Sequence, residues 1–111
     1  EGSDNQQFAT FLGAVAGMVI GADIGASLDE LDRRMLNNNY QTALETSPTN
    51  TAVAWKNPDS GNSGSVKPTR TFYRADTVCR EYTQEIIVGG RKEQGYGQAC
   101  RSADGDWQIV K

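Results

Sequence analysis

Hydrophobic and polar positions fall into three regimes along this chain. From Asn5 to Ala22 there is no charged side chain, and Phe8, Phe11, Leu12, Val15, Met18, Val19, Ile20 and Ile24 are set among small residues. Gly13, Gly17, Gly21 and Gly25 recur at every fourth position, which places them on one face of a helix. An interior glycine costs a helix roughly 1 kcal/mol relative to alanine. Close backbone approach by a second helix is the usual compensation. The pattern predicts a glycine-zipper helical segment over residues 1–26 that packs in a membrane or an oligomer. A flexible linker and a helix buried in a soluble core are the alternatives, and the large apolar side chains argue against the linker. The uncharged run rises only about 27 Å as a helix, slightly short of a bilayer span, so a second arm or a partner would help it insert.

From residue 27 the pattern changes. Leu28, Leu31, Met35, Leu36, Tyr40, Ala43 and Leu44 recur at helical spacing and predict an amphipathic helix over 27–46. Ser27-Leu28-Asp29-Glu30 has the form of a capping box, with Asp29, Glu30 and Asp32 in the first turn. Pro48 ends the helix, because the residue before a proline avoids helical angles.

Beyond Asn50 apolar and polar residues alternate in short runs. Strands are expected over 52–56, 65–75, 78–88, 91–101 and 107–110. A turn-rich loop spans 57–64, and tight turns fall at Gly89-Gly90 and Asp104-Gly105. Pro68 marks the second strand as an edge or a bulged one. The fold class is therefore α+β: a glycine-zipper helix and an amphipathic helix, then a small antiparallel β-meander of about five strands over 50–111.

The Gly89-Gly90 turn fixes the register of its hairpin. A two-residue loop pairs Val88 with Arg91, and every pair further out keeps the same sum of residue numbers. Cys79 and Cys100 satisfy it, in a non-hydrogen-bonded pair whose Cα atoms sit about 4.5 Å apart, within the reach of a disulfide. Two independent signals thus agree on one Cys79–Cys100 disulfide, which suits an oxidising compartment such as a periplasm. The same register sets Tyr82 over Gly97, where an aromatic ring covers a glycine.

Charge and chemistry narrow the function classes. The net charge of −3 conceals an asymmetry: residues 1–50 carry a net −5 and residues 51–111 a net +2. The bases alternate with acids, so no nucleic-acid partner is expected. There is no histidine, and two cysteines cannot build a zinc set or a histidine-based triad. Asp59 with Asn57 and Asn62, or Asp104 with Asp106, could touch a calcium ion, but turn chemistry explains both. Glu81 and Glu85 on one strand face and Arg80 on the other read as solvated sheet surface. Trp55, Trp107, Tyr73, Tyr82 and Tyr96 read as core and sheet-face packing. No catalytic residue, cofactor, metal or small-molecule substrate is expected, and the 50–111 unit is expected to fold alone once oxidised. The chain opens at Glu1 without a signal segment, as a processed or trimmed product would.

The segments GADIGASLDELDRR, QTALETSPTNTAVAWKNPDSGNSGSVKPTRTF and CREYTQEIIVGGRKEQGYGQACRSADGDWQIVK resemble the rickettsial 17-kilodalton surface antigen family of Gram-negative outer-membrane lipoproteins. The resemblance implies a glycine-zipper helical region, then a small β-rich surface-antigen domain exported to the cell envelope, in the outer membrane or periplasm. It implies no catalytic or ligand residues. Such proteins usually begin at a lipidated cysteine and carry two zipper arms. This sequence has no cysteine before Cys79 and one arm, Gly13 to Gly25, as a fragment starting at the second arm would.

Two functions follow as expectations. The first is a non-enzymatic envelope protein that anchors or self-associates through the glycine zipper and meets other envelope proteins through its β-domain. The second is a soluble accessory subunit or binding module that docks into a larger envelope assembly through its N-terminal helix.

Overall fold

The structure is a computed structural model and describes residues 26–110, together with the backbone of Ala14–Val15 and Met18–Val19. Two short strands, β1 (Ala14–Val15) and β2 (Met18–Val19), pair antiparallel. They precede helix α1 (Glu30–Thr46) and the strands β3 (Val53–Lys56), β4 (Ser63–Arg74), β5 (Thr77–Val88), β6 (Arg91–Arg101) and β7 (Trp107–Val110). The five strands form one antiparallel sheet in sequential order, the expected meander.

The β1–β2 pair corrects the helical reading at those four positions. They are extended, a conformation that Val15 and Val19 favour and that escapes the penalty glycines impose on a helix. Gly13, Gly17, Gly21 and Gly25 themselves lie outside the described residues. Among the described residues no helix is long and apolar enough to cross a membrane.

Helix α1 forms where expected, but its cap differs. Asp29 is the N-cap and Asp32 closes the box: Asp32 N donates to Asp29 Oδ1 at 2.7 Å, and Asp29 N donates to Asp32 Oδ2 at 2.9 Å. The Ser27–Glu30 box is replaced because the Asp32 carboxylate has further partners, Asn57, Ser60 and Asn62, in the loop between β3 and β4. At the other end Ser47 N donates to Ala43 O at 2.9 Å, and Pro48 ends the helix.

The β5–β6 register runs as the turn dictates, from Val88 opposite Arg91 to Cys79 opposite Cys100. Pro68 does sit at a bulge, where the β4–β5 register shifts between Pro68 and Arg70. Alternation then gives the sheet two faces. The inner one carries Val66, Tyr82, Ile86, Val88 and Ala99, flanked by Trp55 and Trp107, and α1 lays Leu36, Tyr40, Ala43 and Leu44 onto it. Although residues 27–46 and 50–111 read as separate units in the sequence, they share this one core. At its centre the Tyr40 and Tyr82 rings meet edge to face, with centroids 5.5 Å apart. Burial raises the pKa of both phenols, so both stay neutral.

Two glycines make room for aromatics in the neighbouring strand. A Cβ on Gly97 would lie 2.9 Å from Tyr82 Oη, and one on Gly64 would lie 2.6 Å from Trp55 Nε1. Tyr82 is 1% exposed and has no room to retreat. Gly97→Ala is therefore expected to cost about 1–3 kcal/mol by overpacking. Denaturant titration should show a lower midpoint at an unchanged slope, and an unshifted midpoint would refute the close fit.

Candidate functional site

Three groups of side chains carry the chemistry of the described residues. The first is the disulfide. Cys79 and Cys100 are bonded, with Cα atoms 4.0 Å apart, across β5 and β6 on the outer face of the sheet. Neither remains a free thiol.

The second is a buried carboxylate that the sequence reading passed over. Asp32 is 0% exposed. Its Oδ1 accepts from Asn57 Nδ2 at 2.8 Å and Ser60 Oγ at 2.7 Å, and its Oδ2 accepts from Asn62 Nδ2 at 2.8 Å and from Asp29 N. The loop between β3 and β4 thus folds three donors onto the first turn of α1. Burial alone would raise the Asp32 pKa, but the bonds from Ser60, Asp29, Asn62 and Asn57 outweigh it and hold the carboxyl below its ordinary range. Asn57 and Asn62, considered for calcium, are spent on this latch. Asp59 closes a local turn, its N–H donating to Asn57 Oδ1 at 2.9 Å. Asp104 likewise accepts from Ser102 Oγ within its own loop. Among the described residues no cluster of acidic, histidine or cysteine side chains could hold a metal.

The third is Arg80, which corrects the solvated-surface reading. It points inward and is 8% exposed. Its guanidinium donates to Leu44 O at 2.9 Å, Ala43 O at 3.5 Å and Thr71 Oγ1 at 3.0 Å. The last turn of α1 contains no basic residue, so Arg80 supplies from the sheet the positive charge that a helix C-terminus favours. Desolvation pulls its pKa down from the ordinary arginine value.

Helix α1 also closes the edge of the sheet. Gln41 Nε2 donates to Trp107 O at 2.9 Å and its Oε1 accepts from Trp107 N at 2.8 Å, which fills two backbone positions on the outer side of β7. Glu45 Oε1 accepts from Trp107 Nε1 and from Arg101 Nε, both at 2.9 Å.

The outer face keeps the remaining charge. Glu81 pairs with Arg70 at 2.9 Å and accepts from Gln98 Nε2 at 3.1 Å, and Glu85 pairs with Lys92 at 3.3 Å. Both carboxylates lie at the surface in ion pairs, as expected. The aromatic residues divide. Trp55, Tyr82 and Trp107 are core, whereas Tyr73 and Tyr96 are exposed at 69% and 82%. The hairpin register already separates Tyr96 from Tyr82, because Tyr96 pairs with Thr83 and shares the face of the cysteines.

Comparison with known proteins gives the family. The model of the 17 kDa outer membrane surface antigen family matches residues 42–108. The 17 kDa surface antigen of Rickettsia bellii (strain RML369-C) is 48% identical over 89 residues, covering 78% of this chain and 55% of that protein. That of Rickettsia japonica (strain ATCC VR-1363 / YH) is 51% identical over 87 residues, covering 77% and 54%. That of Rickettsia prowazekii (strain Madrid E) is 50% identical over 83 residues, covering 74% and 52%. The chain spans about half the length of the curated relatives it matches. No solved structure matches it. The matched region runs from the second half of α1 through the disulfide-stapled meander, and on that match the chain belongs to the 17 kDa outer membrane surface antigen family.

Proposed function

We propose that this protein is a non-enzymatic component of a Gram-negative cell envelope, held at the outer membrane with its stapled α+β unit displayed toward other envelope components. Family membership carries this reading. The fate of the ionisable groups supports it. The two buried charged side chains among the described residues, Asp32 and Arg80, are taken up by structural hydrogen bonds. Both cysteines are consumed in the staple.

The apolar segment over residues 8–25 is the element that associates with membrane or with a second copy of the chain. Its support is the uncharged stretch and the large apolar side chains within it, Phe8, Phe11, Leu12, Met18 and Ile20 among them. Flotation of the full chain with phosphatidylethanolamine–phosphatidylglycerol vesicles, together with cross-linking and sizing, tests this role. Val19→Asp should weaken membrane association or assembly more than Val19→Leu, because only the first puts a charge into the uncharged stretch. Equal and negligible effects of the two substitutions would remove the segment as an interface. A full chain that ignores vesicles but enters a larger soluble complex would favour the accessory-subunit function instead.

A further inference from the structure

Strands β5 and β6 lay three successive cross-strand pairs along the outer face: Glu85 opposite Gln94, Thr83 opposite Tyr96, and Glu81 opposite Gln98. The two outer pairs have the same chemistry, a carboxylate beside a primary amide, and Tyr96 rises between them. A cleft lies on each side of its ring. One, of about 570 Å³, is lined by Glu85, Gln94 and Lys67, and the other, of about 240 Å³, by Glu81, Gln98 and Thr69. Tyr96 and Thr83 line both.

Packing gives no reason for Tyr96. What sets Tyr96 apart from the other exposed tyrosine, Tyr73, is that clefts flank its ring, which combines an apolar body with a polar tip. The surroundings restrict what that is. Hydrogen-bonding groups flank the ring in both clefts, the Thr83 hydroxyl and the Gln94 amide in one and Gln98, whose Nε2 is held by Glu81, in the other, so an occupant with polar groups at its rim is matched better than a purely apolar one. Charge is also nearly balanced: Lys67, Arg70 and Lys92 face Glu81 and Glu85, and both carboxylates are already in ion pairs. Such a field neither attracts a polyanion nor anchors a cation. A pyranose ring fits these constraints. It offers a C–H face to stack on the phenol and a rim of hydroxyls for which amides act as donor and acceptor together. Gln94 and Gln98 are four residues apart on one strand, a span of about 13 Å, enough for a short oligosaccharide.

We infer that the outer face of the β5–β6 hairpin is a glycan-binding site, in which a linear, uncharged oligosaccharide lies across Tyr96 with one Glu–Gln pair on either side. This names a ligand class for the envelope-contact reading above and rests on that reading only for where the glycan is met.

The test is a titration of the isotope-labelled full chain with N-acetylchitotetraose and, separately, cellotetraose, followed by amide NMR shifts. At least one of the two should produce saturable shifts centred on Tyr96 and the side-chain amides of Gln94 and Gln98. Tyr96→Ala should weaken binding at least about tenfold, whereas Tyr96→Phe, which keeps the ring, should stay within about threefold. Tyr73→Ala, at an exposed tyrosine outside both clefts, should change nothing. Four results would overturn the inference. They are no saturable shift with either glycan, equal binding by Tyr96→Ala, tighter binding of a heparin tetrasaccharide, and shifts that follow protein concentration without glycan, which would make a second copy the occupant. Vesicle flotation of Tyr96→Ala separates the two readings. Lost glycan binding with normal flotation concerns this site alone, and normal glycan binding with failed flotation concerns the anchor alone.

Discussion

Asp32→Ala is expected to destabilise the protein by about 3–5 kcal/mol, the combined effect of several buried donors left unsatisfied and a helix cap lost. The substitution strands Asn57 Nδ2, Ser60 Oγ and Asn62 Nδ2 without their acceptor and opens the reciprocal cap of α1. An unsatisfied buried donor costs about 1–3 kcal/mol, and a lost cap about 1 kcal/mol. Asp32→Asn keeps the shape but turns an NH₂ toward groups that are themselves donors, so it should recover only part of the loss. Thermal unfolding of the three proteins at neutral pH measures the order. An alanine variant as stable as the parent would mean that the latch is not structural.

The same carboxylate sets a pH dependence. Its folded pKa lies below its ordinary value of 3.8. The stabilisation is therefore complete above that value and is lost as pH falls through the lower, folded pKa. Glu45, Glu81 and Asp104 are displaced in the same direction, by Arg101, Arg70 and Ser102 respectively, and add to acid sensitivity. The melting temperature should fall on acidification below about pH 4, and Asp32→Asn should flatten that fall.

Removing the staple is the second large effect. Cys79→Ser with Cys100→Ser, or reduction of the native protein, should cost about 3 kcal/mol in the chain-entropy account of a loop of this size. For one small domain that is a large fraction of the whole stability. Intact mass with and without reductant should differ by two hydrogens. Denaturant midpoints of the oxidised and reduced forms give the energy. Two freely alkylated thiols in the unreduced protein, or identical midpoints, would contradict the bonded pair.

What could be read in the sequence and what could not divide along the range of the interactions. Gly89-Gly90 and the cysteine pair are local constraints, and a hairpin register follows from counting outward from its turn. The same counting places Tyr82 over Gly97 and Tyr96 on the opposite face. The helix cap resisted this treatment because Ser27–Glu30 and Asp29–Asp32 overlap with the same spacing. The choice between them is made by Asn57, Ser60 and Asn62, which lie 25 to 30 residues further along the chain. Arg80 departs from the solvated-surface expectation for a related reason. It continues the inward alternation of Tyr82, Ile86 and Val88, but a guanidinium in that row is tolerable only because carbonyls at the end of α1 receive it. For the same reason the helix and the meander do not separate. Without α1 the apolar inner face of the sheet would stand uncovered.

The bonds between Gln41 and Trp107 join positions 66 residues apart. Helix α1 therefore leaves a ribosome or a translocation pore long before its last partner, and the core cannot close until β7 has followed. The β5–β6 hairpin has the opposite timing. Its cysteines are brought together by a local turn, so they can meet an oxidant as soon as residue 100 emerges. A hairpin oxidised at that stage leaves the helix to settle onto a sheet whose central register is already covalently fixed.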